Sequence, residues 1–154
     1  MVYIRDLARR LRKDYRTRDP FVICDQVGVF VLTADLPEIT KGFYFAVKGK
    51  PIINLNRSLP ESERMVVCAH ELGHVLLHAT CNVSFLSTST NFVISRYERE
   101  ANYFSACLLL DELVDSTMDC TIEQLSQETG VPMPLVLLWA ETEKKADMQH
   151  GKIH

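Results

Sequence analysis

The spacing of apolar residues predicts helices at the start of the chain and strands after them. Residues 3–17 carry apolar side chains every three or four positions, which predicts an amphipathic helix, and residues 21–26 predict a second short helical segment. Three runs rich in β-branched and aromatic residues follow at 29–32, 43–47 and 52–55, and they predict strands. The short turn between the last two runs predicts that those strands pair as an antiparallel hairpin.

From Ser58 onward the apolar period becomes that of a helix. A helix is predicted over 59–78, and its apolar residues cover most of its circumference, so we expect it to be central. Further helices are predicted over 95–110, 121–129 and 133–146, with a polar loop rich in serine and threonine over 80–91. The pattern predicts an α+β fold in which a small antiparallel three-stranded sheet packs on the central helix and several further helices.

Length and charge restrict the classes of function. A chain of 154 residues suits one domain, and its longest apolar run, 135–140, is far shorter than a membrane span. The net charge of −3 gives no basic footprint for nucleic acid. The charged first 18 residues do not resemble a secretory leader, and five widely spaced cysteines without a C-x-x-C pair do not resemble a disulfide framework. We therefore expect a cytoplasmic protein without a membrane partner.

The central helix contains the sequence His70-Glu71-Leu72-Gly73-His74, an H-E-x-x-H motif. Residues four apart lie on one helix face, so His70 and His74 can reach the same Zn²⁺ ion. Glu71 lies about 100° round the helix, where it can take a proton from a water that zinc activates. Two histidines and a carboxylate would be costly in an apolar helix without a metal. The motif therefore predicts zinc as cofactor and Glu71 as general base.

A catalytic zinc needs a third protein ligand, which the motif does not supply. His78 lies about 12 Å along the helix from His70, too far to bind the same ion. Glu98, Glu100 and Asn102 remain as candidates, and spacing alone leaves the choice between them open. Glu98 has Asn102 one turn later on its own face, where the amide can orient a ligand, whereas Glu100 has Phe104 there. We therefore favour Glu98 as the ligand with Asn102 in support, and keep Glu100 as the alternative.

These residues resemble the ImmA/IrrE-type zinc metallopeptidases of bacteria and their mobile elements. The resemblance rests on four segments: 42–44 (GFY), 52–56 (IINLN), 67–78 (VCAHELGHVLLH) and 98–106 (EREANYFSA). It implies a zincin-like fold and a gluzincin-like E-x-x-x-[DN] arrangement, which Glu98 and Asn102 match. Family members commonly continue into L-L-M-P after the last segment, whereas this chain has Leu108-Leu109-Leu110-Asp111, so the helix end is expected to differ.

The resemblance also implies an activity and a partner. It implies a zinc-dependent endopeptidase whose usual targets are helix-turn-helix repressors of prophage, mobile-element or stress genes. The alternative is a regulatory zinc-binding protein that acts on a repressor by contact alone. The similarity covers about residues 20–110, which we expect to form the core of a single domain over 1–154, with a helical extension over 111–147.

The extension contains a segment that resembles a helix-turn-helix, residues 121–140. Its second helix offers apolar residues such as Leu135 and Trp139 where DNA reading needs polar and basic ones. We therefore expect a packing unit or a protein-docking face, and no direct DNA binding.

Overall fold

A computed structural model describes residues 1–78, 91–114 and 120–150 of the chain. Its helices are α1 (Val2–Tyr15), α2 (Pro20–Val27), α3 (Glu61–His78), α4 (Asn91–Val114), α5 (Ile122–Thr129) and α6 (Met133–His150). Its strands are β1 (Phe30–Ala34), β2 (Gly42–Val47) and β3 (Lys50–Asn56). These elements confirm the α+β class. The loop expected over 80–91 falls almost entirely outside the described residues.

The sheet is mixed, with strand order β1-β3-β2. β2 and β3 form the expected antiparallel hairpin, in which Tyr44 lies opposite Ile53. β1 instead runs parallel to β3, with Phe30 opposite Ile52, so the prediction of an entirely antiparallel sheet was wrong for this strand. The connection over 35–41 is long enough to carry the chain past one strand position, which leaves room for β3 between β1 and β2. β3 is thereby central and β2 is an edge.

Helix α3 begins at Glu61, two residues later than predicted. The Ser58 hydroxyl donates to the Asn56 Oδ1 atom (3.0 Å) and is not the cap of the helix. As expected, α3 is the central helix: it packs against the sheet, α2 and α4, and Cys68, Ala69 and Leu72 are fully buried.

Gly73 allows α3 and α4 to approach closely beside the H-E-x-x-H histidines. A Cβ atom at this position would lie 3.0 Å from Phe104 Cδ1 and 3.2 Å from Ala101 Cα. Real Cβ atoms rarely approach so closely, and the Ala101 atom is backbone that cannot rotate away. The absence of a side chain at Gly73 therefore sets the distance between the histidines on α3 and the acidic residues on α4.

Partly buried polar contacts hold α1 and α6 against the carboxyl-terminal half of α4. The Asp111 carboxylate accepts from Arg9 Nε (2.6 Å) and from the Trp139 indole N–H (2.8 Å). Glu143 accepts from Arg5 (2.6 Å) and from the Tyr103 hydroxyl (2.6 Å). Asp111 occupies the position where the L-L-M-P pattern is broken, and α4 continues through it to Val114. The departure from the family pattern therefore provides an anchor for the neighbouring helices.

We expect Asp111→Ala to lower the free energy of unfolding by about 1–3 kcal/mol, because it removes a buried carboxylate that accepts from both the Trp139 N–H and the Arg9 guanidinium. The measurement is urea unfolding followed by circular dichroism. Asp14→Ala, at an exposed position on α1, is the matched control and should change the stability by less than about 0.5 kcal/mol. Equal stability of the two variants would contradict this role.

The described cysteines Cys24, Cys68, Cys107 and Cys120 are free, and all but Cys120 are buried. The Sγ atoms of Cys24 and Cys68 are 4.0 Å apart in the core beneath α3. Among the helices that the structure describes, none combines the length and the apolar character needed to cross a membrane.

Candidate metal centre

Three side chains from α3 and α4 converge on one point at the surface of the protein. The Nε2 atoms of His70 and His74 are 3.1 Å apart, as their spacing of four residues predicts. Glu98 on α4 lies opposite, with Oε2 3.3 Å from His70 Nε2 and Oε1 3.1 Å from His74 Nε2. The three side chains are thus mutual neighbours with no other group between them.

These separations suit a tetrahedral zinc ion. Bonds of about 2.0–2.1 Å in a tetrahedral site place neighbouring donor atoms about 3.3 Å apart. The three observed separations are 3.1–3.3 Å. Two imidazoles and one carboxylate are also a donor set typical of catalytic zinc, with the fourth position open. The residues therefore fit the ion.

The charge of Glu98 is strongly favoured in this arrangement. Hydrogen bonds from His70 and then His74 hold the pKa of the Glu98 carboxyl far below its usual range, against the opposing effect of burial. Burial lowers the pKa of His70, but its hydrogen bond with Glu98 and the charge of Glu71 outweigh this, and the pKa is raised. An ionised carboxylate beside two histidines is the state that attracts a divalent cation.

Asn102 lies one turn beyond Glu98 and hydrogen-bonds to the His70 side chain. The contact contributes to raising the pKa of His70, as expected when the amide oxygen accepts from the ring. The structure thus brings the Asn102 amide to His70, where it can orient the imidazole ring.

Glu71 lies beside this group but outside it. The residue is only 8% exposed, and burial raises the pKa of its carboxyl, opposed by electrostatic interaction with the neighbouring His70 and His74. The backbone of Tyr44 on β2 also hydrogen-bonds to the Glu71 carboxylate and lowers its pKa. The Tyr44 ring stacks on His74, with centroids 5.9 Å apart. Strand β2 therefore lies against both the metal ligands and Glu71.

His78 and Glu100 form a second layer that the sequence analysis missed. His78 is buried, and its Nδ1 atom lies 3.2 Å from Nδ1 of His74. Its Nε2 atom lies 2.9 Å from Oε2 of Glu100, whose other oxygen accepts from Arg96 Nε (2.9 Å). Glu100, the alternative third ligand, is thus directed to His78 and lies outside the His70–His74–Glu98 group.

The contacts in this second layer determine which nitrogen of His74 carries a proton. An ionised carboxylate only accepts, so His78 Nε2–H donates to Glu100, and Nδ1 of neutral His78 is an acceptor. His74 Nδ1–H then donates to it, so that His74 can bind a metal through Nε2 once the proton shared with Glu98 has left that nitrogen. The sequence did contain a signal for this contact: His78 lies four residues after His74 and therefore on the same face of α3 as the two histidines of the motif.

Two tyrosines of α4, Tyr97 and Tyr103, have different surroundings. The Tyr103 hydroxyl donates to Glu143, on the side of α4 that contacts α6. The Tyr97 ring packs against His78, with centroids 4.4 Å apart.

A second group of possible metal ligands, Cys107, Asp111 and Glu143, lies among the described residues. Both of its carboxylates are already neutralised by arginines, Arg9 and Arg5, at 2.6 Å. Two guanidinium charges at this distance oppose the binding of a cation. This group is therefore a structural network.

Comparison with known sequences finds similarity over most of the chain. Residues 24–137 match the peptidase M78 family, described as an IrrE N-terminal-like domain. The "Uncharacterized immunity region protein 2" of Bacillus phage phi105 is 35% identical over 138 residues, covering 88% of this chain and 87% of that protein. The "Metallopeptidase ImmA" of Bacillus subtilis (strain 168) is 26% identical over 111 residues, covering 71% of this chain and 64% of that protein.

A solved structure described as a Mycobacterium tuberculosis transcriptional regulator shares the fold. It superposes with a TM-score of 0.66 at 20% sequence identity and matches 90% of this chain. The chain spans only 46% of that regulator. At this identity the likeness concerns the fold alone.

Proposed function

The chain belongs to the peptidase M78 family of IrrE N-terminal-like domains, and on this premise we propose that it is a zinc-dependent endopeptidase that cleaves a protein substrate. The observation that carries the proposal is the convergence of His70, His74 and Glu98 at 3.1–3.3 Å beside the buried Glu71. A binding site for a purely structural zinc has no need of a carboxylate that is held nearby without joining the ligands.

In this proposal His70, His74 and Glu98 hold the zinc, and Asn102 orients His70. When bound, zinc supplies a Lewis acid that lowers the pKa of water and polarises the scissile carbonyl. Glu71 accepts the proton of the attacking water and delivers it to the nitrogen of the departing amine. Its burial supports this role, because burial raises the pKa of the Glu71 carboxyl and so makes its carboxylate a stronger base.

The edge position of β2 supports capture of an extended segment of the substrate. The Lys41 carbonyl accepts from the Asn56 N–H of the strand end (2.8 Å). Along an antiparallel pair, the backbone N–H and C=O groups of successive residues point alternately towards the partner strand and away from it. Gly42 and Ala46 lie an odd number of residues after Lys41, so their N–H and C=O groups point away from β3. From the sequence, either β2 or β3 could be the edge strand that receives the substrate. Because β3 is the central strand, only β2 of these two can do so. We propose that the substrate adds as a strand beside β2.

Ala46→Pro is expected to lower kcat/KM for cleavage by tenfold or more, because it removes an outward N–H that would pair with the substrate. It should spare the sheet, since that N–H is not used by β3. Ala46→Val, which keeps the N–H, is the control and should retain the wild-type rate. The assay is cleavage of the full-length substrate, with circular dichroism to verify folding; unchanged cleavage by a folded Ala46→Pro variant would exclude capture on β2.

We further propose that the substrate is a helix-turn-helix repressor of a prophage, mobile element or stress operon, met in the cytoplasm. Two observations support this: the resemblance to metallopeptidases that act on such repressors, and the similarity to a protein named for a phage immunity region.

The proposal is tested by mixing the zinc-loaded protein with the repressor encoded beside it. Intact-mass spectrometry should show two fragments whose masses sum to that of the repressor plus one water. Size-exclusion chromatography of the same mixture detects binding. A stable complex with an intact repressor would contradict proteolysis and favour action by contact alone.

A further inference from the structure

We propose that the cavity beside Glu71 is a specificity pocket for an uncharged, medium-sized apolar side chain next to the scissile bond. This inference rests on the proposed peptidase function and names the substrate class that the site selects. The cavity has a volume of about 260 Å³ and opens on His70, Glu71 and Asn102. A side chain entering it would therefore belong to a residue held at the reacting centre.

The position of the cavity follows from the helix period. Val66 and Val67 lie one turn before His70 and Glu71 and so occupy the same face of α3. Their side chains line the wall of the cavity furthest from His74, and both are partly buried. The cavity thus lies beside the metal centre, towards the amino-terminal end of α3.

The second wall is formed by Gly42, the first residue of β2, and by Lys41 just before it. Gly42 lies on the face of β2 that carries Tyr44, since alternate residues of a strand share a face. A Cβ atom at Gly42 would lie only 2.9 Å from Val67 Cγ1. Glycine here lets β2 lie close against the valine wall, so that a peptide on the β2 edge passes directly over the cavity.

The third wall is Leu135, in the first turn of α6. Its neighbour Val136 is fully buried and anchors this turn in the core, while Leu135 itself is only partly buried. The segment that resembles a helix-turn-helix therefore supplies a wall of the cavity. This gives the carboxyl-terminal helices a role in substrate selection.

The chemistry of the walls selects the ligand. Val66, Val67 and Leu135 offer only methyl and methylene groups, and the cavity is far larger than the roughly 10–15 Å³ that a single water requires. Water against such walls is displaced favourably by an apolar group. An acidic side chain would meet the Glu71 carboxylate at the opening, and the Lys41 ammonium is already paired with Glu63 (2.9 Å).

The probes are three zinc-binding hydroxamates that differ only in one side chain, HONH–CO–CH₂–CHR–CO–Ala–NH₂ with R as hydrogen, isobutyl or carboxymethyl. Their Kd values for the zinc-loaded wild-type protein are measured by isothermal titration calorimetry, a readout independent of turnover. The isobutyl compound should bind at least about tenfold more tightly than the hydrogen compound, because each buried carbon is worth about fourfold and two or more of the four carbons would be buried. The carboxymethyl compound should show no gain.

Leu135→Trp, which fills the cavity, should abolish the isobutyl gain, that is, the tighter binding of the isobutyl compound relative to the hydrogen compound. The Kd of the hydrogen compound should stay within twofold of its wild-type value. Leu137→Trp, at a position 43% exposed on the same helix, is the matched control and should keep the gain. Should Leu135→Trp not fold, Leu135→Ala serves instead and should lower the isobutyl gain by removing one wall.

The outcomes separate this inference from the function on which it rests. If the hydrogen compound binds and the isobutyl compound gains less than twofold, the pocket is overturned while the zinc centre stands. An unchanged isobutyl gain in Leu135→Trp would also overturn it. If the hydrogen compound does not bind the zinc-loaded protein, the metal centre and the proposed function fail, and the pocket fails with them.

Discussion

His70→Ala and His74→Ala are each expected to weaken zinc binding about a hundredfold or more. Structural zinc sites with four ligands bind the ion with a free energy of about 10–16 kcal/mol. Loss of one ligand therefore removes about 3 kcal/mol of binding free energy, which is about a hundredfold in Kd. The measurement is a competition titration against a chromophoric chelator, with elemental analysis of the purified proteins. Wild type should hold one zinc per chain and each variant close to none. Full zinc in either variant would contradict the assignment.

The same titration distinguishes the two glutamates of α4. Glu98→Ala should weaken zinc binding about as much as the loss of a histidine, because its carboxylate faces both ring nitrogens. From the sequence, loss of Glu100 is predicted to leave zinc binding intact. Its contact through His78 changes this expectation to a weakening of about 10- to 100-fold, the usual effect of losing a group that orients a ligand. A larger loss in Glu100→Ala than in Glu98→Ala would reverse the assignment.

Glu71→Gln is expected to abolish detectable cleavage while retaining one zinc per chain. The amide has the shape of the carboxylate but cannot accept the proton of the attacking water. General bases of this kind contribute about 10²–10⁴-fold to the rate. The measurement is kcat/KM for cleavage of the repressor, with zinc content determined on the same sample.

Glu63→Gln is the matched control for this variant. Glu63 lies on the same helix, is partly exposed, and pairs with Lys41 (2.9 Å). It should cleave at the wild-type rate. Wild-type activity of Glu71→Gln would mean that another group acts as the base and would remove Glu71 from the mechanism.

The parts of the site that follow from local geometry could be predicted from the sequence. His70 and His74 share a face because four residues are close to one helical turn, and Glu98 and Asn102 do so for the same reason. Helix period alone left Glu98 and Glu100 open, since it does not give the rotation of α4 about its axis. That rotation is determined by contacts between helices, such as the close approach of Ala101 and Phe104 to Gly73.

The features that the sequence analysis missed depend on long-range packing. β1 has the same apolar composition in a parallel or an antiparallel pair, so its direction depends on where the connection over 35–41 leads. His78 was rejected as a ligand on distance, and its contact with Glu100 requires knowledge of α4. Leu135 reaches the cavity only because α6 packs back on α4. Nothing in its local sequence distinguishes it from Leu137 or Leu138.

The central claim is that one zinc ion at His70, His74 and Glu98 makes the protein a peptidase. Its most direct test is the initial rate of repressor cleavage by metal-free protein as zinc is added in known ratio. The account predicts no cleavage without metal, a linear rise in rate, and saturation at one zinc per chain, with Glu98→Ala inactive throughout this range. Cleavage by the metal-free protein in the presence of chelator, or an intact repressor at one zinc per chain, would contradict it.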